Sequence, residues 1–266
     1  MYSFSPISKI RFYTSYIWFK LVLFKDVKKG TARLYFAEII WIINQFFLTK
    51  ITLPNWFLTD YFVTKFGKFY IEPDLVSTIA ISPAFEREDI NYLLSLIRRE
   101  VSKKKKILFL DIGANIGLYT IVVGNAFKDK IESIAFEPGT SYLSIPSYNL
   151  LKKNLAKNNL KNIKIFKMGI GSTNSKNINK DGFTSKTLDN VLGVKFFAKY
   201  DHVFIKLDVD DYVVDALRGV LKCVESGKKT TLLVEDFVDP KCIKVLEKSG
   251  WTFLTKRSSY NSFWSK

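Results

Sequence analysis

The stretch "LFLDIGANIGLYTIVVG", residues 108–124, decides the fold. Apolar residues run into an acid, Asp111, glycines follow at 113 and 117, and an apolar-rich segment begins at once. This is a buried strand, a tight turn and a helix, the opening unit of an α/β sheet.

Outward from that stretch the pattern repeats. "ILFLD" reads as a strand and residues 116–126 as a helix with Leu118, Val122, Val123 and Ala126 on one face. "IESIAFE" is a second strand, and a helix runs from about Pro146 through "LLKKNLAKN". "IKIFKM" and "VFIKLD" give the third and fourth strands, and Val213, Val214, Leu217, Val220 and Leu221 stripe the helix after them. "TTLLVED" is the fifth strand, Asp239 and Pro240 open another helix that Gly250 closes, and "WTFLT" with "SFWSK" suggest a final antiparallel pair. Alternating βαβ units with near-continuous apolar strands predict an α/β fold, its sheet mostly parallel and covered by helices on both faces.

The rest of the chain frames this core. Residues 60–100 read as a short hairpin, "YFVTKFGKFYIEP", followed by a helix, "EREDINYLLSLIRREV". Residues 1–58 carry aromatic-rich helical patterns with basic residues interspersed, so the expected division is a helical N-terminal extension, 1–58, and a main domain, 59–266. The apolar stripes of the extension suit packing on a core; the alternative is peripheral contact with a membrane surface. "IIWIINQFFL", 39–48, is about half the length of a bilayer span, so no transmembrane segment is expected. Lys20 interrupts the early apolar run and no small-residue cleavage site follows it, so no secretory signal is expected. Cys223 and Cys242 have neither disulfide-framework nor metal-ligand spacing, and a reducing, cytoplasmic location fits them. The polar segment 171–187 reads as a loop.

The net charge of +16, from 41 basic and 25 acidic residues, favours polyanions in general. The lysines are spread along the chain, and no zinc cluster, aromatic RNA-binding motif or basic zipper accompanies them. RNA is therefore carried as an alternative partner, behind a solvated lysine-rich surface.

In an open parallel sheet, ligands bind outside the carboxyl ends of the strands at the switch point. The strands end there in Asp111, Glu137, Asp208 and Glu235. Any one of these acids would pass as a helix cap; all of them beside "DIGANIG" suggest a site. The spacing D-x-G-x-x-x-G differs from the dinucleotide fingerprint, and Asp111 would repel a pyrophosphate. An acid suits an ammonium group, and Glu137 is placed to accept from a ribose diol. A cationic amino acid joined to a ribose describes S-adenosylmethionine.

"FLDIGANIGLYTIVVG", "FEPGTSYLSIPSYNLLKKNLAKNN", "TLDNV", "VFIKLDVDDYVVDALRGV" and "LLVED" together resemble the FkbM family of S-adenosylmethionine-dependent methyltransferases, over roughly residues 60–255. The resemblance implies a class I methyltransferase (Rossmann-like) fold and methylation of a hydroxyl oxygen, on a carbohydrate or other small molecule. It implies that Asp111, Gly113, Asn115 and Gly117 form the cofactor loop, that Glu137 is the ribose-binding acid, and that Lys206 and Asp208 stand in the family's "IKxD" strand. The chain departs from the family where "IKxDxEGxE" is usual: it reads "IKLDVDDYV", with Asp210 keeping an acid, Asp211 in place of the glycine and Val214 near the second glutamate.

Methyl transfer to a hydroxyl needs a held nucleophile and an acceptor for its proton. Asp208 and Asp210, at the end of the fourth strand, are the candidates, with help from Glu235 and Asp236. Lys206 is either part of that machinery or a structural ion-pair partner. His202, the single histidine, falls at the start of its strand and so at the opposite edge. Oxygen ligands at 208, 210 and 235 suit magnesium, but the spacing demands no metal and none is expected. The alternatives to a small-molecule or glycan methyltransferase are an RNA ribose methyltransferase and a non-catalytic protein that keeps the fold for binding the cofactor or a polyanion.

Overall fold

The computed structural model describes residues 36, 40, 43, 61–71, 86–139, 146–174, 182–224, 229–237 and 239–266. The chain divides into two compact units, Met1–Phe85 and Glu86–Lys266, with the hairpin in the first. In the first unit Phe36, Ile40 and Ile43 are helical. The remainder of the expected 1–58 extension lies outside the described residues. Strands β1 (Phe62–Val63) and β2 (Lys68–Phe69) pair antiparallel as the hairpin, with Thr64 N donating to Gly67 O at 2.8 Å across the turn.

The second unit begins with helix α1 (Arg87–Ser102) and then alternates. Strand β3 (Ile107–Ile112), helix α2 (Leu118–Phe127), strand β4 (Glu132–Phe136) and helix α3 (Ser147–Lys157) follow. Next come β5 (Lys164–Phe166), β6 (Gly169–Ile170), β7 (Ser185–Lys186) and the short helices α4 (Leu188–Leu192) and α5 (Val194–Phe197). Strand β8 (His202–Leu207), helix α6 (Val213–Val224), strand β9 (Lys229–Glu235), helix α7 (Lys241–Lys248) and strands β10 (Thr252–Lys256) and β11 (Asn261–Ser265) complete it.

Seven strands form one sheet in the order β10-β11-β9-β8-β3-β4-β5. All neighbours are parallel except β11, which runs antiparallel to both β9 and β10. From β3 the chain steps outward through β4 to β5, then crosses back to β8 on the other side of β3. That central reversal and the inserted antiparallel strand are the topology of the class I methyltransferase fold.

Period-two alternation sorts the central strands onto two faces. Leu108, Leu110 and Ile112 join Val203, Ile205 and Leu207 in a core with Val213, Ala216, Leu217 and Val220 of α6 and Leu246 of α7. Ile107, Phe109 and Asp111 take the other face of β3, and His202, Phe204 and Lys206 that of β8. Helix α2 differs from its expected one-sided pattern: Ala126 is exposed, while Tyr119, Thr120, Ile121 and Gly124 are buried with Leu118, Val122 and Val123. A helix in contact with both β4 and α1 is covered on more than one side, so a single apolar stripe does not describe it.

The 171–187 segment also differs in part from a plain loop. Its end pairs β7 in parallel with β6, through Gly169↔Ser185 and Ile170↔Lys186. Residues 175–181 lie outside the described residues.

Candidate active site

Three residues between β3 and α2 adopt left-handed backbone: Gly113 (φ 79°), Asn115 (φ 49°) and Gly117 (φ 95°). The glycines answer to the protein itself. A Cβ on Gly113 would sit 1.7 Å from the Asp208 carbonyl oxygen, and one on Gly117 2.6 Å from Leu151 Cδ1 of α3. At Gly113 the obstruction is backbone, so only glycine lets the turn touch the exit of β8; at Gly117 it is a leucine tip, and the φ of 95° is what favours glycine. The turn thus occupies the reversal between β3 and β8, where ligands bind in open sheets of this kind.

Backbone and side-chain bonds fix the turn to β4 as well. Gly113 N and Ala114 N both donate to Phe136 O at 3.0 Å. Asn115 N donates to Glu137 Oε2 at 2.7 Å, and Gly139 N and Ser147 Oγ donate to Glu137 Oε1, each at 2.8 Å. The Glu137 carboxylate therefore ties together the turn, the exit of β4 and the start of α3. With about four acceptor positions on a carboxylate, these bonds leave Oε2 room for another donor. Burial raises the Glu137 carboxyl above its ordinary range, against the pull of these donors.

Asp111 is 1% exposed. Its Oδ2 accepts from Thr120 Oγ1 of α2 at 2.5 Å, while Oδ1 has no hydrogen-bond partner among the described residues. Burial raises its carboxyl above the usual carboxylate range. A buried, unpartnered carboxylate oxygen at the mouth of a sheet is suited to a cationic ligand group.

Lys206 stands beside Asp111 in register across the β3–β8 pair. Its Nζ donates to Asp208 Oδ2 at 2.7 Å and to Gly113 O at 3.4 Å, and lies 5.2 Å from the Tyr119 ring centre. Both sequence readings of Lys206 therefore meet: it is an ion-pair partner, and it sits inside the candidate site. Burial would lower its ammonium, but Asp208, Asp111 and Glu86 outweigh that and hold it firmly protonated. Burial likewise pushes the Asp208 carboxyl up, yet Lys206 brings it below its ordinary value.

Asp208, Asp210 and Glu235 come together, each offering a carboxylate oxygen within 4.8 Å of the others. Burial and the Asp208 charge push Glu235 up to about 9, so at neutral pH Glu235 holds a proton beside an ionised Asp208. Asp210 is exposed, has left-handed backbone (φ 47°) and is raised by burial and by Asp208. The oxygen set is also of a kind that a hard divalent cation accepts. Asp236 does not join it: its carboxylate accepts from Lys256 Nζ at 2.6 Å.

His202 lies at the other edge, as expected. Its ring stacks on Phe204 at 4.0 Å, Nε2 meets Thr231 Oγ1 at 2.9 Å, and burial lowers it to about 4, so it is a neutral structural group.

Sequence reasoning missed a second layer. Glu86, Asp89 and Asn261 are buried together, with Asn261 Nδ2 donating to Glu86 Oε1 at 2.7 Å and to Asp89 Oδ2 at 3.0 Å. Burial and Asp208 raise Glu86 to about 7. Tyr119 OH is buried in the same layer, where burial and the Glu86 carboxyl raise its phenol above the ordinary value. The one available signal was an acid opening an amphipathic helix, which ordinarily marks a cap; yet no cap bond forms at Glu86.

The charges are segregated. The carboxyl edge is dominated by these acids, whereas a cavity of about 370 Å³ at the opposite edge is lined by Lys106, Lys128, Lys130 and Lys199 together with Asp129 and Glu132. Among the described residues no helix is long and apolar enough to cross a membrane.

No protein-family model matches the chain, and no curated protein matches it. Solved structures do. The methyltransferase FkbM from Methylobacillus flagellatus is similar at 16% identity, covering 60% of this chain and 43% of that one, with a TM-score of 0.44. A SAM-dependent methyltransferase from Aquifex aeolicus is similar at 12% identity over 66% of this chain and 95% of that one, with a TM-score of 0.40. An rRNA methylase from Streptococcus thermophilus is similar at 11% identity over 64% and 92%, with a TM-score of 0.38. This chain therefore spans less than half the length of the first of these structures.

Proposed function

We propose that the chain is an S-adenosylmethionine-dependent methyltransferase of the FkbM type, acting on a hydroxyl of a carbohydrate or other small molecule. The observation that carries this reading is the buried Asp111, its Oδ1 unpartnered, at the foot of a turn clamped between β8 and Glu137. Those residues fit the cofactor: Asp111 Oδ1 would take its ammonium group, and the remaining acceptor position on Glu137 Oε2 a ribose hydroxyl. Gly113, Asn115 and Gly117 would shape the backbone that holds it.

When bound, the cofactor supplies an electrophilic methyl group on a sulfonium. The chain has to bring a hydroxyl oxygen in line with that methyl and take its proton. Asp208, ionised beside Lys206, would accept the proton, and Lys206 would orient the carboxylate through the 2.7 Å bond. Glu235, protonated at neutral pH, would donate to Asp208 or to the acceptor, and the exposed Asp210 would position it at the mouth. Asp211, where the family has glycine, and Val214, near its second glutamate, would alter the acceptor side and leave the cofactor turn intact.

The net charge of +16 favours RNA as a rival acceptor, but the lysine-lined cavity is at the other edge and phosphates would meet acids here. Titration calorimetry with S-adenosylhomocysteine tests the cofactor site, and silence there would reject it. Labelled methyl transfer to cell extract, split into RNA, protein and glycan fractions, tests the acceptor. Label in glycans or small molecules, nearly independent of salt, is the expected result. Label in RNA, lost by roughly 10³-fold on raising salt, would reverse the substrate assignment. Tight cofactor binding without transfer to any fraction would leave a binding protein.

A further inference from the structure

The carboxyl edge holds a feature that methyl transfer itself does not use. Phe237, which follows Glu235 and Asp236 at the exit of β9, is 64% exposed, and Tyr260, just before β11, is 36% exposed. Their rings meet edge to face, centroids 5.5 Å apart and planes at 69°. Scattered exposed apolar residues are ordinary on protein surfaces. Here, however, two aromatic rings touch each other on the edge of the sheet where ligands bind.

Their mounting is rigid. Asp236 N donates to Tyr260 O at 3.0 Å, Asn261 pairs with Glu235 across β9 and β11, and the Asp236 carboxylate holds Lys256 at 2.6 Å. The backbones that carry both rings are thus tied to each other and to the sheet. Glu235, two residues before Phe237, converges with Asp208 and Asp210.

We infer that Phe237 and Tyr260 are the acceptor platform, on which a neutral pyranose ring stacks while its hydroxyls reach the carboxyl groups of Asp210 and Glu235. The inference rests on the methyltransferase reading and narrows its substrate class. A pyranose presents a face of C–H bonds and a rim of hydroxyls. The C–H face suits an aromatic ring, and the hydroxyls, donors and acceptors both, can give a hydrogen bond to a carboxylate and take one from the protonated Glu235. Anionic sugars and nucleic acid phosphates would be repelled by the ionised Asp208. A planar phenol would stack as well, but would leave most of the acidic rim unmatched.

The test is a titration of the full chain with methyl α-glucopyranoside, methyl α-mannopyranoside, methyl α-rhamnopyranoside and catechol. Binding is followed by saturation transfer from the protein to each ligand, with and without S-adenosylhomocysteine. At least one pyranoside should bind, with transfer strongest to the C–H protons of one ring face. Phe237→Ala and Tyr260→Ala should each weaken it by about tenfold, an aromatic contact's usual contribution. Phe237→Trp should preserve it. Phe253→Ala, at a 53% exposed ring on the outer strand β10, should change nothing. Calorimetry with S-adenosylhomocysteine should give the same affinity in all these variants, which shows that they fold. Pyranoside binding indifferent to Phe237 and Tyr260, no pyranoside binding at all, or ring-dependent preference for catechol would each overturn the platform. Failure of the wild type to bind S-adenosylhomocysteine would reject the methyltransferase reading instead, and the pyranoside titration would still decide the platform by itself.

Discussion

Replacing Gly113 with alanine should be among the most damaging single-methyl changes available to this chain. Two costs add. At φ 79° an L residue pays a conformational penalty of about 1–2 kcal/mol. The new Cβ would also lie 1.7 Å from the Asp208 carbonyl oxygen and 2.9 Å from Val209 Cγ1. The first of those is backbone, which cannot swing away as a side-chain tip would, so overpacking adds about 1–3 kcal/mol. The expected loss is about 2–5 kcal/mol, a large part of a domain stability of about 5–15 kcal/mol. Gly250→Ala is the matched control: φ is 74° there, just past the end of α7, and nothing lies within 4 Å of the added Cβ. It should cost only the conformational penalty. Urea unfolding followed through the buried Trp251 and Trp264 measures both variants. If Gly113→Ala came within about 0.5 kcal/mol of Gly250→Ala, a surface-mutation difference, the close approach of the turn to β8 would be wrong. Gly113 belongs to the turn that would hold the cofactor, so Gly113→Ala should also lose S-adenosylhomocysteine affinity, whereas Gly250→Ala should not.

Asp111→Asn should weaken S-adenosylhomocysteine binding at least about tenfold in calorimetry, the scale of one charge-assisted hydrogen bond. Glu137→Ala should do the same and also lower the melting temperature, because it strands the donors of Asn115, Gly139 and Ser147. Glu235→Gln addresses pH. The folded carboxyl titrates near 9 against an ordinary 4.5, so its stabilising proton is fully held below about 4.5 and lost as pH rises toward 9. The variant has no proton to lose and should gain on the wild type by about 2 kcal/mol between pH 5 and pH 9 in urea melts, discounted from the full shift for relaxation around the pair. A constant difference across that range would refute the raised carboxyl. Shortening the chain between Asn174 and Gly182 should impair turnover with little effect on S-adenosylhomocysteine affinity if this stretch helps hold the acceptor; unimpaired turnover would exclude that role.

Most of the sheet was legible because its signals are local. "ILFLD", "IESIAFE", "IKIFKM", "VFIKLD" and "TTLLVED" all fall on strands, each within a residue or two of its observed ends. The carboxyl-edge acids followed from strand ends, and so did the placement of His202 away from them. What escaped depends on neighbours distant in sequence. Ala126 shares its helical spacing with buried residues, but nothing in the chain's periodicity says which side α1 will cover. The two glycines marked a tight turn, but the sequence could not show that the Asp208 backbone lies against Gly113. Glu86 is simply the first residue of the helical run "EREDINYLLSLIRREV"; its place near Lys206 and Asn261 is set by residues 120 or more positions away, and no sequence window spans that. The aromatic pair was similarly invisible, since neither Phe237 nor Tyr260 belongs to a periodic run.

Asn261 has a consequence for the order in which the molecule assembles. Its amide is a shared donor to Glu86 and Asp89, 175 and 172 residues earlier, at the start of α1. Until β11 docks against β9, those carboxylates have no such donor, so the first turn of α1 cannot settle in its buried position without cost. The earliest helix of this unit is therefore finished by its final strand, a long-range closure of the kind that slows folding. Transient detachment of β11 should release both at once. In native-state hydrogen exchange, the amides of α1's first turn and those of β11 should share one opening free energy and form a single cooperative unit.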